Sequence, residues 1–592
     1  MSWEAWFTLG VVALMVAALA RDLVAPVLAV LGADVLLLVT GVIDTEAALS
    51  GFANPAPITV AALYVIARAV EKTGALEPLL LRTLGHRDRG RLALARLLAP
   101  VAGASAFLNN TPIVAMLAPQ VADWAEKRGR SASAFLMPLS FATILGGTIT
   151  VIGTSTNLVV SGLLEGAGLA PIGMFEITKI GLPVTILGLF ALVLFAPVAL
   201  PERRTARGRF TDDFREFVFH ATVAPGGPLE GRTIEGAGLR QLQGVFLVGI
   251  TRHGEAIAAP APSTVLYGGD RLTFAGRVDL VRDLQSMRGL VADGEEHAFD
   301  LKRPGNTFFE AVVSGASGLV GKTLKEVEFR SRYHAAVLAI HRAGQRVHAK
   351  LGSVPLKEGD TLLLLADEGF ARRWRDRNDF LLVSHLGGNP RPTSRQAIIV
   401  GLVTLAIVVL AGMGVVSILH AALLGVFALL ATGVLTLGEA RSAVDLDVIV
   451  VIAAAFGIGA AIERSGLAAL IGDGIVRGFS GWGPIGVLLA VTLATIALTE
   501  VITNNAAAVL IFPIALAAAG ELAVDPRPFA MAVAVAASAS FLTPIGYQTN
   551  TMVYGPGGYR FGDYARLGAP LTAIVVATIL LVVPLAWPFS GG

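Results

Sequence analysis

The sequence predicts a polytopic α-helical membrane protein, an inverted repeat of about five plus five transmembrane helices with two re-entrant hairpins and a central soluble α+β insert. Three observations predict this fold class. The chain of 592 residues is 54% hydrophobic and 15% charged, whereas a soluble protein carries about 25% charged residues. Apolar runs long enough to span a bilayer occur in both halves. Three polar motifs recur in the same order in the two halves, at offsets of 392, 394 and 393 residues.

The apolar runs define two membrane repeats, at 1–200 and 396–592. No basic segment precedes the first run, so we expect a span there and not a cleavable signal peptide. One further apolar stretch lies between the third and fourth runs of each half, at about 97–122 and about 484–520. The predicted spans lie near 3–20, 24–43, 56–73, 134–164, 174–200, 396–412, 416–437, 447–462, 528–555 and 568–588.

Charge is concentrated between the repeats. Residues 201–390 carry 49 of the 90 Asp, Glu, Lys and Arg residues, which is the composition of a soluble domain. The net charge of +2 is far from the basic balance of a nucleic-acid-binding protein, so we expect no such partner. The absence of Cys excludes disulfides, thiolate metal ligands and Cys nucleophiles.

Basic residues orient the first repeat, because positively charged loops stay in the cytoplasm. Arginines between 82 and 96 precede the stretch at 97–122, and Lys127, Arg128 and Arg130 follow it. Both ends are therefore predicted to be cytoplasmic, and the stretch is a re-entrant hairpin. Counting crossings from there places the N-terminus outside and the insert in the cytoplasm. Each half crosses the bilayer five times, and because five is odd, the second repeat has the opposite orientation to the first. Its hairpin is therefore predicted to enter from outside, and the C-terminus to lie outside.

The recurring motifs locate the repeat residue by residue. Segments 70–74, 108–111 and 153–157 match segments 462–466, 502–505 and 546–550. Inverted repeats whose helices break at corresponding positions are typical of secondary transporters, which bind substrate at the repeat interface near the bilayer midplane. We therefore expect the functional site where the two repeats meet.

Charged residues end the third span of each repeat. Arg68, Glu71 and Lys72 lie there in the first half, and Glu463 and Arg464 lie there in the second. Charges near helix ends reach the interface or pair with one another, so we expect local ion pairs rather than a ligand site. The Gly-rich segment at 555–564 is predicted to be a cytoplasmic loop with a structural role.

Each hairpin carries neutral hydrogen-bonding side chains at its centre. Irregular backbone at this depth is tolerated only where it lines a cavity or is buried in protein. Helix N-terminal N–H groups favour an anion, while Asn, Thr and main-chain oxygens suit a hard cation such as sodium. The two hairpin centres carry almost no charged side chains, with Glu500 as the exception. This composition fits an anionic substrate whose charge is neutralised by co-transported cations. Helix–helix contacts are the alternative role, but two clusters at matched positions favour a binding site. The clusters are Asn109, Asn110 and Thr111, and Thr503, Asn504 and Asn505.

At these motifs the chain resembles a known family. Ser105-Ala106-Phe107-Leu108-Asn109-Asn110-Thr111-Pro112 resembles the Ser-Asn-Thr motif region of the divalent-anion:sodium symporters, the dicarboxylate and sulfate carriers. Gly153-Thr154-Ser155-Thr156-Asn157 resembles the Gly-Thr-Pro-x-Asn turn of that family. The resemblance covers both membrane halves and implies that the two tips hold the anion beside two sodium sites.

The resemblance also assigns residues to these sites. One sodium site would consist of Ser105, Asn109, Asn110 and Gly153, and the other of Thr499, Thr503, Asn504 and Gly546. The substrate ligands would be Asn109, Asn110, Thr111, Thr503, Asn504, Asn505, Thr154, Asn157, Thr549 and Asn550. Asn109 and Thr503 stand where the family has Ser, Asn505 stands where it has Thr, and Ser155 and Gln548 replace the Pro of the turn. These departures leave the substrate and the number of sodium ions open.

The insert repeats itself at an offset of 90 residues. Segments 229–234 and 269–272 match 319–324 and 359–362, and Arg252 matches Arg342. Alternating strand-like runs, turns and short helices predict two small α+β domains at 209–290 and 307–385. Both resemble the C-terminal regulatory domain of TrkA-type and potassium-channel proteins, which binds a small ligand or dimerises, and both roles stay open. Gly321-Lys322-Thr323 is not a phosphate-binding loop, because Ala316 stands where that motif needs Gly.

The resemblance implies a sodium-coupled carrier of a divalent anion, working by alternating access as a homodimer in the inner (plasma) membrane. Na⁺ is the coupling ion and no other cofactor is expected, apart from an unknown small ligand of the insert. We expect sulfate rather than a dicarboxylate, because the insert resembles the sulfate-carrier branch. An enzyme is not expected, since the His residues lie mostly in the insert. A channel would need a continuous polar pore, and a proton-coupled antiporter would need a midplane acid, for which the tips offer only Glu500.

Overall fold

The computed structural model describes residues 2–589 except for 22, 76–89, 127, 129, 202–217, 240–244, 253–254, 259, 277–288, 293–306, 316, 343–344, 348, 350, 368, 375–378 and 386–393. The helices of the first half are α1 (Trp3–Ala20), α2 (Pro26–Val39), α3 (Thr45–Ala53), α4 (Pro55–Thr73), α5 (Arg91–Ser105), α6 (Asn110–Glu126), α7 (Leu136–Gly147), α8 (Ser155–Gly166) and α9 (Thr178–Ala199). The insert contains β1 (Val218–Val223), β2 (Val245–Arg252), β3 (Glu255–Ala258), β4 (Arg271–Gly276), β5 (Leu290–Ala292), β6 (Thr307–Val313), α10 (Phe329–Tyr333), β7 (Ala335–Arg342), β8 (Gln345–Arg346), β9 (Thr361–Ala366), α11 (Phe370–Trp374) and β10 (Phe380–His385). The second half contains α12 (Ser394–Gly412), α13 (Ile418–Ala431), α14 (Leu437–Ala443), α15 (Leu446–Arg464), α16 (Leu467–Phe479), α17 (Gly483–Thr499), α18 (Asn504–Glu521), α19 (Arg527–Ser538), α20 (Gln548–Tyr554) and α21 (Phe561–Ala586).

The helices of the second half repeat the order of the first. Helices α1–α4 correspond to α12–α15, α5 and α6 to α17 and α18, and α7–α9 to α19–α21. Helices α2 and α13 each have 14 residues, and α4 and α15 each have 19. Within the described residues, seven helical stretches are long and apolar enough to cross a membrane: Trp3–Ala20, Thr45–Thr73, Thr178–Ala199, Arg395–Gly412, Leu446–Arg464, Asn504–Glu521 and Phe561–Ala586. A mostly helical, polytopic membrane protein is therefore the fold class, while the inverted orientation of the repeats stays a prediction.

Two predicted spans are not single helices. The run at 134–164 is interrupted at 148–154 between α7 and α8, and the run at 528–555 is interrupted at 539–547 between α19 and α20. These breaks lie at the turn motifs that the sequence indicates, although the hydropathy of each run shows no interruption. In each break an Asn binds main-chain oxygens that the helix leaves unpaired, as backbone inside a membrane requires. Nδ2 of Asn157 donates to the Thr150 carbonyl (2.9 Å), and Nδ2 of Asn550 donates to the Ser540 carbonyl (3.0 Å).

The two predicted hairpins are helix–break–helix segments. Helix α5 ends at Ser105 and α6 begins at Asn110, while α17 ends at Thr499 and α18 begins at Asn504. We call the segments 105–111 and 499–505, each a break with the helix ends beside it, the first and second tips. Each predicted hairpin is built of two helices, and the first hairpin extends beyond the predicted 97–122. That each hairpin enters and leaves the bilayer on the same side stays a prediction.

Ion pairs join the two repeats reciprocally. Arg464, at the end of α15, lies 2.7 Å from Asp44, which caps α3. Lys72, near the end of α4, lies 2.6 Å from Glu439 of α14. The expectation of local pairs describes Arg68 and Glu71 (3.0 Å) but not Lys72 and Arg464, which pair across the repeat interface. Because these groups are partly or largely exposed, screening by solvent keeps the contribution of each pair to the interface small.

The insert forms two sheets with one topology. The strand orders are β3-β2-β4-β1-β5 and β8-β7-β9-β6-β10, so each strand has a partner in the other sheet. A bidentate ion pair recurs in both: Arg252 binds Asp270 (2.7 and 2.8 Å), and Arg342 binds Asp360 (2.8 Å for both bonds). The hydrogen bonds that the guanidinium groups donate to these Asp carboxylates raise the pKa of both Arg side chains. The offset of 90 residues thus matches two sheets of the same strand order, while the domain limits and the resemblance to regulatory domains stay predictions.

We expect Arg342→Ala to destabilise the second sheet by about 3 kcal/mol, because the buried Asp360 carboxylate loses its charged partner. Hydrogen exchange across 307–385 in the intact protein measures the change. The control is Arg373→Ala, whose partner Asp367 is about half exposed, and which should cost no more than about 1 kcal/mol. Equal exchange in the two variants would contradict this role of Arg342.

Candidate functional site

The first tip brings three oxygens together. The buried Ser105 hydroxyl lies 2.6 Å from Oδ1 of Asn110 and 2.8 Å from the Thr143 carbonyl oxygen. The hydroxyl has one proton to donate to these two acceptors, so the cluster is rich in oxygen lone pairs. Asn109 is half-buried in the break between the two helices.

The second tip repeats this arrangement with other residues. The Thr499 hydroxyl lies 2.9 Å from Oδ1 of Asn504 and 2.6 Å from the Ala537 carbonyl oxygen. Thr503 is exposed and caps α18, where its hydroxyl accepts the N–H of Ala506. The equivalence of Ser105 with Thr499 and of Asn110 with Asn504 therefore extends from sequence to hydrogen bonds.

A space bounded by carbonyl oxygens lies beside Gly153, in the first helix break. A Cβ added there would lie 2.5 Å from the Gly147 oxygen, 2.9 Å from the Ser105 oxygen and 3.0 Å from the Ala106 oxygen. A Cβ at Gly147 would likewise lie 2.8 Å from Oδ1 of Asn110. Hard cations take oxygen ligands of this kind, and a side chain at position 153 would obstruct these oxygens.

The equivalent space beside Gly546 is bounded by side-chain oxygens. A Cβ there would lie 2.1 Å from the Ser540 hydroxyl and 3.1 Å from both Oε2 of Glu500 and the Thr543 hydroxyl. The Ser540 hydroxyl is buried and has no hydrogen-bond partner among the described residues. The second repeat thus also gathers oxygens around a glycine, but it includes a carboxylate where the first repeat offers the Ala106 carbonyl.

Glu500 is held by the second helix break. Its carboxylate accepts the N–H groups of Phe541 (2.7 Å), Leu542 (2.8 Å) and Thr543 (2.9 Å). Three N–H donors favour the ionised form of a carboxyl group. The geometry thus indicates that Glu500 fixes the turn at 541–543.

Each tip contacts the helix break of the other repeat. Nδ2 of Asn110 donates to the Tyr547 hydroxyl (2.6 Å), and the Thr111 hydroxyl donates to Oε1 of Gln548 (3.3 Å). In the reciprocal contact, Oδ1 of Asn505 accepts from Ser155 (3.2 Å) and Thr156 (3.3 Å). Helix α6 begins at Asn110, α8 begins at Ser155, and α18 begins at Asn504, next to Asn505. Their N-termini bring positive dipole ends to the place where the repeats meet, which suits an anion.

Some predicted ligands lie elsewhere. Asn157 is buried against its own break, and the Ser140 hydroxyl of α7 donates to Thr549 (2.9 Å) and Asn550 (2.7 Å). Thr154 is the buried N-cap residue of α8. Thr154, Asn157 and Asn550 thus belong to the breaks, and Thr549 and Asn550 also bond with α7 of the first repeat. Asn110, Thr111 and Asn505 bond instead with residues at the opposite break.

Sequence reasoning did not propose Tyr547, Gln548, Ser155 and Ser540 as site residues. Three of them occupy the matched turn motifs, where Ser155 and Gln548 were noted only as departures from the family pattern and Tyr547 was given no role. Ser540 belongs to none of the three motif pairs, so only its position in the fold reveals it.

Comparisons with known proteins agree on one family. A family model described as citrate transporter matches residues 6–536 and again 421–590. The chain is 37% identical to a Chlamydomonas reinhardtii protein named as a candidate sulfur deprivation response regulator, over 93% of this chain and 96% of the relative. It is 36% identical to an uncharacterized transporter of Synechocystis sp., over 93% and 92%. It is 26% identical to sodium/sulfate cotransporter 1 of Chlamydomonas reinhardtii, over 99% and 90%.

We expect Tyr547→Phe to lower the unfolding free energy by about 1 kcal/mol, because Nδ2 of Asn110 loses its acceptor across the repeat interface. Thermal unfolding in detergent measures this. Tyr267→Phe is the control, since Tyr267 lies in the insert and its ring is exposed. If both variants unfold at the wild-type temperature, the contact between tip and break contributes nothing to stability.

Proposed function

The chain belongs to the citrate transporter family, and on that premise we propose that it carries a divalent anion, sulfate in the first place, together with sodium by alternating access. The observation that supports this most is the pair of tips, whose neutral polar groups each bond with residues at the helix break of the opposite repeat. As a member of this family the protein is a transporter and not an enzyme.

The anion would bind where the tips meet the opposite breaks. In the described residues, Asn110, Thr111 and Asn505 already bond with Tyr547, Gln548, Ser155 and Thr156, so a bound anion would replace these contacts with bonds to its own oxygens. Short Asn, Ser and Thr donors suit a compact tetrahedral oxyanion. Relatives named sodium/sulfate cotransporters support sulfate, and a dicarboxylate is the second candidate because the family resemblance includes dicarboxylate carriers.

Sodium would bind in the spaces beside Gly153 and Gly546. The first offers carbonyl oxygens with Ser105 and Asn110 nearby, and the second offers hydroxyl oxygens with the Glu500 carboxylate. The two sites would therefore differ in charge. A proton-coupled antiporter is less well supported, because both oxygens of Glu500 accept main-chain N–H groups.

The remaining parts of the proposal concern topology and assembly. The repeats would have opposite orientations in the inner membrane, with the insert in the cytoplasm and both termini outside. Two copies would form a homodimer, and the insert would bind a small ligand or take part in assembly. The lipid bilayer, Na⁺ and the anion are the other partners.

Uptake of radiolabelled sulfate into proteoliposomes tests the proposal. We expect accumulation that depends on an inward sodium gradient, saturates with sulfate and resists competition by succinate. Uptake of succinate in place of sulfate would keep the mechanism and change the substrate. Sodium-independent flux of both anions would refute the proposal, and flux that follows a proton gradient and stops in Glu500→Gln would support an antiporter.

We expect Gly153→Ala to abolish sodium-dependent uptake, because its Cβ would lie within 3.0 Å of three carbonyl oxygens and fill the space proposed for sodium. Gly103→Ala is the matched control, since Gly103 lies on α5 near the same tip with nothing within 4 Å of an added Cβ. Uptake against sodium concentration is the measurement. Wild-type sodium dependence in Gly153→Ala would exclude this sodium site.

A further inference from the structure

The two repeats differ in what packs against two equivalent helix segments, the C-terminal half of α8 in the first repeat and the end of α20 in the second. In the first repeat, Asn54 at the start of α4 covers α8 at Gly162. Nδ2 of Asn54 donates to the Gly162 carbonyl (3.2 Å), and its Oδ1 lies 2.5 Å from the position of a Cβ at Gly162. Helix α4 therefore packs on α8 without a gap.

In the second repeat the insert covers the equivalent position. Gly555 follows α20 and corresponds to Gly162 at the offset of 393, and Asp445 at the start of α15 corresponds to Asn54 at 391. A Cβ at Gly555 would lie 2.0 Å from the Thr361 hydroxyl and 3.2 Å from the Gly359 carbonyl, both at the start of β9. The second insert sheet thus lies where the start of α15 would lie if the repeats were identical.

A second difference lies beside the tips. In the first repeat, a cleft separates α4 at Ala67 and Val70 from Pro112 and Ile113 at the start of α6. In the second repeat, the equivalent α15 packs directly on α18, with Val509 3.5 Å from a Cβ position at Gly459. Inverted-repeat carriers change their accessible side by exchanging such arrangements between the repeats.

We infer that the second insert domain is an autoinhibitory wedge, in which the start of β9 occupies the surface of Gly555 that the start of α15 must cover in the alternative state. This inference rests on the proposed alternating access. Asp445 would approach Gly555 as Asn54 approaches Gly162, so Thr361 and Asp445 compete for one surface. While the insert is docked, the exchange of arrangements is blocked.

The docked insert also acts close to the site. Helix α20 connects Gly555 to Gln548 and to its N-cap Tyr547, which bond with the first tip. The Thr361 hydroxyl is buried against Gly555 without a hydrogen-bond partner among the described residues. The contact is therefore close-packed but gains no hydrogen bond from this hydroxyl.

The tandem insert offers a matched pair of variants. Gly359 has a φ of +75°, and a Cβ there would lie 3.6 Å from Thr551 and 3.9 Å from Tyr554, so the longer Asn side chain would push the sheet away from α20. Gly269 is its equivalent in the first sheet, with a φ of +86° and nothing within 4 Å of its Cβ position. Asn tolerates this backbone conformation at both positions.

We expect Gly359→Asn to raise the sodium-driven uptake rate by at least about fivefold, the lower end of coupling between sites, and Gly269→Asn to leave it unchanged. Disulfide cross-linking gives a second readout, because the natural chain has no Cys. The Thr361 Cβ lies 3.4 Å from the Cβ position of Gly555, which is close to disulfide geometry. Oxidised Thr361→Cys/Gly555→Cys should stop uptake, and reductant should restore it.

The competing pair is Asp445→Cys/Gly555→Cys. It should cross-link slowly in the otherwise unchanged chain and faster when Gly359→Asn is added, since the surface is then free. Equal uptake in Gly359→Asn and Gly269→Asn, with equal cross-linking at 445 and 555, would overturn the wedge. So would full uptake by the oxidised Thr361→Cys/Gly555→Cys protein. Failure of the proposed function would instead show as absent uptake in the unmodified chain, while the cross-link yields would still report docking.

Discussion

A helix that breaks inside an apolar bundle leaves main-chain groups that protein atoms must satisfy, and the rest of this structure depends on how that is done. Asn157 and Asn550 bind the carbonyl oxygens of the two breaks, and Glu500 binds the N–H groups of the second. These bonds hold irregular turns at fixed positions in the membrane repeats. Only because the turns are fixed can each tip bond with the break of the opposite repeat.

The repeats share a plan and differ in charge. Both tips combine a hydroxyl, an Asn side chain and a carbonyl oxygen, supplied by Ser105 and Asn110 in one and Thr499 and Asn504 in the other. The position after the hydroxyl is Ala106 in the first repeat and Glu500 in the second. A buried carboxylate in one half of a paired site means that the two halves cannot attract ions equally.

Much of the membrane architecture could be predicted, because polar motifs in apolar runs are rare and their offset is constant. The tips at Asn110 and Asn504 lie where the motifs indicate. The matched turn motifs at 153–157 and 546–550 mark the breaks in the spans at 134–164 and 528–555, but the bounds of the breaks could not be read from the sequence, since Ile149, Val151 and Ile152 keep the hydropathy high. Asn157 and Asn550 bond with carbonyl oxygens only 7 and 10 residues earlier, yet the motifs indicated them as ligands and not as residues that shape the turn. The contact of Thr361 with Gly555 joins segments that are far apart in the chain. No local pattern encodes such contacts.

The reciprocal ion pairs have a consequence for biogenesis. Lys72 and Asp44 emerge from the ribosome in the first half, but their partners Glu439 and Arg464 follow only after the insert. At about 5–20 residues per second, synthesis of the intervening chain of more than 300 residues takes roughly 20–70 s. During that interval the first half is a membrane-embedded intermediate with unpaired charges and an uncovered tip. Its survival would depend on lipid headgroups or chaperones that shield it until the second half arrives.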